Sequence, residues 1–310
     1  METVIKNSGK RKTKFNFYIL VSTVYFIYAP TSFADIDYKK GSYVALASGC
    51  KNCHSTSENP DYSGGEKLET KFGELYAPNI TPHAENGIGA WTIQQFSRAV
   101  KNGISPEGTP YYPAFPYVHY AMMSEEDIKN LYYYIMSLPP SNLKSKKHNL
   151  HFPFNLRFLI WIWRWLYIEN DNQQIFSISE KYKRGKYLVE VLGHCGMCHT
   201  QKNIFGASIS SLNLAGSITK INKKTITTPN ITTHKTMGIG NWEKDDIVWF
   251  LQTGLLLDGD TVSGKMGEII NDSISILNAY DIDSMAIYLK SLPPLVNSKL
   301  KNNTTTTSED

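Results

Sequence analysis

Three ordered blocks of this sequence occur twice. YKKGSYVALASGCKNCHS from Tyr38 matches YKRGKYLVEVLGHCGMCHT from Tyr182. PNITPHAENGIGAW from Pro78 matches PNITTHKTMGIGNW from Pro229, and EDIKNLYYYIMSLPP ending at Pro140 matches YDIDSMAIYLKSLPP ending at Pro294. The offset between copies is 145 at the cysteines, 151 at the middle block and 154 at the last. A chain written this way is expected to fold as two copies of one unit, 35–142 and 179–296, with the length differences taken up in loops.

Each copy reads as helical. After Trp91, Ile93, Phe96 and Val100 fall at one-face helical spacing. The last helix of the first copy opens at Ser124, a good N-cap, with Glu125, Glu126 and Asp127 in the electropositive first turn. Ile128, Leu131, Ile135 and Leu138 point inward, and Pro139 and Pro140 stop the helix. Asn278 and Asp281 open the equivalent helix of the second copy. Strand signals are few, so the predicted class is all-α, with Gly/Pro-rich loops between the helices.

All four cysteines, Cys50, Cys53, Cys195 and Cys198, lie in C-x-x-C pairs, each followed at once by histidine. The two thiols of such a pair add across the two vinyl groups of a haem, and the next residue then lies under the iron. The spacing therefore predicts two covalently bound haem c groups, with His54 and His199 as axial ligands. A structural zinc site would need further Cys or His beside each pair. A thioredoxin-like pair would need a βαβ context that is absent.

The opposite face of each iron needs a ligand or a vacancy. Met266, in DTVSGKMGEII, is expected to sit in a loop before the last helix, where its thioether would suit the second haem. Laying the copies on each other at offset 151 puts Phe115 in that place in the first copy. Phenylalanine has no lone pair to give. His119, Met122 and Met123 follow in the same stretch as replacements, and an open iron is the remaining reading.

The N-terminus reads as a cleavable signal peptide over 1–34. A basic run from Lys6 to Lys14 precedes an apolar run from Phe17 to Ala29, and small residues stand at Ser32 and Ala34. Export to the periplasm is the expectation. Of the 32 Lys/Arg and 28 Asp/Glu, five and one fall in that segment, so the remainder carries 27 of each. A balanced chain gives no reason to expect nucleic-acid binding. Residues 297–310 read as a polar, disordered tail. Residues 143–178 form a linker with Trp161, Trp163 and Trp165. Two readings stand for it: a connector packing its aromatics on both copies, or a docking surface for a membrane or a partner subunit.

C-x-x-C-H, then APNITP with GIGAW, then YPAFPY, then a helix ending in LPP, resembles the cytochrome subunits of membrane-associated bacterial alcohol, gluconate and fructose dehydrogenases. The similarity runs over about 35–296. It implies two tandem cytochrome c domains, each a small helical bundle wrapped round its haem. It implies electrons taken from a dehydrogenase subunit and passed to a quinone, a cytochrome or an oxidase. Two departures stand out: those subunits have three haem sites, and they carry Met where Phe115 stands here. The resemblance makes Met123 the first choice for the first haem. A dihaem enzyme, a peroxidase or an oxidase of a small sulfur compound, would instead use an open or labile iron in the first domain.

Overall fold

The computed structural model describes residues 37–168, 179–221 and 224–301. The signal segment 1–34, residues 169–178 of the linker and the tail from 302 lie outside the described residues. Helix α1 (Tyr38–Ala47) opens on Asp37, whose carboxylate accepts from the Lys39 and Lys40 amides at 3.0 and 3.1 Å. The short helix α2 (Cys50–His54) follows, then an antiparallel hairpin, β1 (Lys67–Thr70) and β2 (Gly73–Tyr76). Helix α3 (Ile93–Asn102) starts with a reciprocal capping box between Thr92 and Gln95. After α4 (Tyr117–Tyr120), helix α5 (Glu125–Met136) starts at Ser124, whose hydroxyl accepts from the Asp127 amide at 3.0 Å. The linker then adds β3 (Asn149–Leu150) to the free edge of β2 and forms helix α6 (Phe158–Tyr167).

The second half repeats the series: α7 (Glu180–Lys186), α8 (Gly196–His199), a hairpin of β4 (Ser217–Ile221) and β5 (Lys224–Thr228), α9 (Lys244–Thr253), α10 (Gly264–Asp272) and α11 (Ala279–Ser291). A closing turn, α12 (Ser298–Lys301), begins where the sequence reads as tail. Asn297 is buried and donates to the Gly216 carbonyl at 2.9 Å, which holds this end on the body. The disordered-tail expectation is therefore corrected over 297–301. Helices dominate the fold, as the sequence predicts, and the short strands add two small sheets.

In each half the first and last helices cross in close contact. A Cβ on Gly41 would stand 2.2 Å from the Asn130 carbonyl oxygen of α5, and one on Gly185 would stand 1.9 Å from that of Ser284 in α11. Only glycine permits backbones to approach this closely. Ile128, Leu131 and Ile135 of α5, and Ile282, Met285 and Leu289 of α11, are buried at these crossings. Each such side chain contributes about 1.5–3 kcal/mol by leaving water. One connected apolar cluster runs through both halves.

The halves meet through a reciprocal exchange. Tyr43 of α1 donates to Asp281 and accepts from the Asn278 amide, at the start of α11. Its counterpart Tyr187 donates to Asp127 and accepts from the Ser124 amide, at the start of α5. The same two groups on each side meet their counterparts, as in a two-fold symmetric dimer.

Candidate functional site

The two C-x-x-C-H motifs sit on matching short helices, entered differently. Gly49, with φ +59°, turns the chain sharply from α1 into α2. Tyr182 and Cys195 are one residue further apart than Tyr38 and Cys50. That extra residue is accommodated as a stretch of π-helix, Tyr187–Leu192, after α7. His194 then occupies the place of Gly49, at φ +36°. Its imidazole is buried beside Tyr120 and His119, with ring centroids 5.5 and 6.4 Å away. Burial, with His119 adding to it, pushes its pKa down to about 4.

None of the four cysteines forms a disulfide. Burial pushes Cys50 and Cys195 up to about 12. Burial also raises Cys53, with Glu66 and Cys198 of the other motif adding to it and Lys265 opposing. Cys50 and Cys195 both pack against the one apolar cluster that runs through the two halves. The Tyr120 hydroxyl donates to the Ser48 carbonyl at 2.9 Å, and a Cβ on Gly196 would stand 3.2 Å from His119 Cε1.

The histidines are held alike. His54 Nδ1 lies 2.8 Å from the Pro78 carbonyl oxygen, and His199 Nδ1 lies 2.8 Å from that of Pro229. Since a carbonyl only accepts, Nδ1 carries the proton and Nε2 is left as the nitrogen that can bind a metal. Burial lowers both imidazole pKa values, which favours the neutral, ligating form. The proline carbonyls are fixed by the P-N-I-T blocks. Asn79 Nδ2 donates to the Ser141 and Leu143 carbonyls, each at 2.8 Å, and Asn230 Nδ2 donates to that of Leu295 at 2.8 Å. Each loop is thereby clasped to the chain just past the S-L-P-P stop. Sequence reading flagged the P-N-I-T repeat but not the main-chain oxygen it presents.

The residues proposed for the far side separate clearly. Met123 is 1% exposed and belongs to the apolar cluster, immediately before the Ser124 cap. Met122 is 51% exposed. His119 turns toward the second half, with Nδ1 2.9 Å from the Glu190 carbonyl oxygen. Phe115 packs among Tyr111, Tyr117 and Tyr120, with ring centroids 6.0 to 6.5 Å apart. Met266 lies in the first turn of α10 rather than in a loop, half-buried against the cluster. The loop expectation is corrected: with Gly264 left-handed at φ +62°, the chain starts a helix here.

The donor set fits haem c. Each half offers two cysteine thiols and one Nε2-ligating imidazole, with a methionine on the segment leading to the last helix. Beside His54, Asn52 Nδ2 and Thr56 Oγ1 are buried without a hydrogen-bond partner, as polar groups are when a cofactor completes their surroundings. Among the described residues no cluster of three or more His, Cys, Asp or Glu could hold a lone metal ion.

Comparison with known proteins points the same way. A family model described as Cytochrome c matches residues 38–139. A dihaem cytochrome c-type protein of Cereibacter sphaeroides is 36% identical over 268 residues, which is 83% of this chain and 86% of that protein. The fructose dehydrogenase cytochrome subunit of Gluconobacter japonicus is 36% identical over 82% of this chain and 52% of its own length. The cytochrome c subunit of the quinone-type alcohol dehydrogenase of Gluconobacter oxydans is 33% identical over 84% of this chain and 56% of its own. The chain thus spans about half the length of these dehydrogenase subunits.

Proposed function

Because the chain belongs to the c-type cytochromes, among the dihaem and dehydrogenase-subunit members it matches, and carries two covalently bound haem c groups, we propose that it is an exported, periplasmic carrier. It takes electrons from a dehydrogenase and passes them to a quinone, another cytochrome or an oxidase of the respiratory chain. Electron transfer itself follows from the family. The observation that carries it is the repeated pair of histidines, each locked by a proline carbonyl at 2.8 Å, on motifs whose first cysteines pack against one apolar cluster. Two cofactor anchors brought together in one core suit passage of an electron from one half to the other.

Bound haem supplies one-electron exchange between ferric and ferrous iron. The chain's own residues do the rest. Cys50, Cys53 and His54 would hold one group, with Met123 offering its thioether to the iron. Cys195, Cys198 and His199 would hold the other, with Met266 offering its thioether. The burial of Met123 beside the helix cap and the packing of Met266 against the same cluster support this assignment. A dihaem enzyme needs an iron open to a small substrate, and a buried thioether in the first half argues for a filled position.

The test combines composition with coupling. Intact mass should exceed the polypeptide by two haem groups, neither extractable with acidified acetone. Native membranes oxidising an alcohol or a sugar acid should reduce both haems. One haem per chain, or no reduction under turnover, overturns the reading.

A further inference from the structure

Helix α6 has two apolar faces, and the protein covers only one of them. Ile160, Trp163, Arg164 and Tyr167, at helical spacing, face the body. Trp163 Nε1 donates to the Phe205 carbonyl at 3.0 Å, and the Tyr167 and Phe205 rings lie 6.3 Å apart. Arg164 stacks over Tyr117 at 5.1 Å. The opposite face repeats the spacing with Phe158, Trp161, Ile162, Trp165 and Leu166, all exposed, Trp165 to 82%. A surface helix ordinarily turns polar residues outward, and this one has none on that face.

The patch continues beyond the helix. Phe154 packs on Phe72 with ring centroids 4.6 Å apart, and Lys71 reaches from that turn to the Asn203 carbonyl at 3.1 Å. Ile204 and Phe205, next to Asn203, are exposed, and Phe152 projects at 78%. Three chain segments thus share one apolar surface with aromatic residues throughout. The linker itself is basic: no Asp or Glu occurs between Asp127 and Glu169, whereas Lys144, Lys146 and Lys147 fall there. The three lysines are exposed. Lys71 stands over the Phe72 ring at 5.0 Å, and Glu74 of the neighbouring hairpin faces Asn149.

We infer that this face is a membrane-docking surface for an anionic phospholipid bilayer. The outward residues of α6 lie in the headgroup and acyl boundary, as amphipathic aromatic side chains do. The basic, acid-free segment supplies attraction to the lipid phosphates. The inference rests on the carrier reading above, to which it adds the surface that would hold the carrier beside a membrane-bound donor or acceptor. Among the described residues no helix is long and apolar enough to cross a membrane, so this docking is peripheral.

The test is flotation of the exported holoprotein with vesicles of phosphatidylglycerol and phosphatidylcholine, against phosphatidylcholine alone. Wild-type protein should float with the anionic vesicles and be released by high salt. Phe158→Ser with Trp165→Ser should lower the bound fraction at least tenfold, while Leu257→Ser, at an exposed apolar residue elsewhere, should leave it unchanged. Haem content and visible spectrum of every variant show that the fold and the carrier function survive, separating failure of docking from failure of the carrier reading. Wild-type protein that does not float, or a double variant that floats as well as wild type, overturns the inference. So does a double variant that keeps vesicle binding but is no longer reduced by its dehydrogenase, an outcome that makes the face a protein interface.

Discussion

Tyr43 donates its hydroxyl to Asp281 at 2.6 Å, joining the first helix of one half to the start of the last helix of the other. Burial, followed by the bond to Asp281, pushes the phenol up to about 12, so it stays a donor over the working pH range. A hydrogen bond to a buried charged group contributes about 1.5–3 kcal/mol. Tyr43→Phe should therefore lower unfolding stability by at least about 1.5 kcal/mol. Tyr187→Phe should cost a similar amount, since it loses the matching bond to Asp127. Urea unfolding followed by circular dichroism measures both.

Asp281 also gives the fold an acid limit. Burial alone would raise its carboxyl, but the Arg184 fork at 2.8 and 2.7 Å and the Tyr43 bond outweigh this and hold it below the ordinary carboxylate range. With a depressed folded value, the unfolded chain takes up the proton first as pH falls. The stabilisation is complete above the ordinary aspartate pKa of about 3.9 and is lost as pH drops from there through the folded value. Asp281→Asn should be less stable than wild type at pH 7. The gap should close below about pH 4, read from unfolding curves across that range.

The helix crossings show which of two opposed effects wins. Alanine is favoured over glycine inside a helix by about 1 kcal/mol. At Gly185, however, the new methyl would stand 1.9 Å from a backbone oxygen, a rigid neighbour that cannot swing aside. Overpacking of this kind costs about 1–3 kcal/mol or more. Gly185→Ala should be net destabilising, with a lowered thermal midpoint. Ser42→Ala, at a half-buried position of α1 whose hydroxyl donates to the Lys39 carbonyl of its own turn, should be near neutral by comparison.

The ligand assignment has its own optical readout. Met266→Ala and Met123→Ala should each remove one methionine-to-iron charge-transfer band and lower the potential of one haem. His119→Ala should change neither band, since that ring is turned to the Glu190 carbonyl. A spectral change on replacing His119, with Met123→Ala silent, would reverse the assignment for the first half.

Much of this was legible in the residues. Ser124 and Asn278 cap their helices as their chemistry requires, and Phe96 and Val100 face the core as their spacing predicts. The hairpins were not seen for local reasons. In β1, KLET exposes three of its four residues and shows no clean alternation, and β5 exposes four of its five. The π-turn left one trace, a single residue of extra length before Cys195. The proline carbonyls and the Tyr43 and Tyr187 contacts join parts distant in sequence, and nothing in either segment alone names its partner.

The exchange of tyrosines is the signature of a homodimer fused into one chain. A true homodimer must place the same residue at both equivalent positions, so its two irons would share one affinity for electrons. Fusion lifts that constraint. At offset 151 Met266 of one half answers to Phe115 of the other, a difference that a single chain can hold. The symmetric contact holds the two centres together, and the covalent join lets them differ, so that a relay with equal stations can become a downhill one.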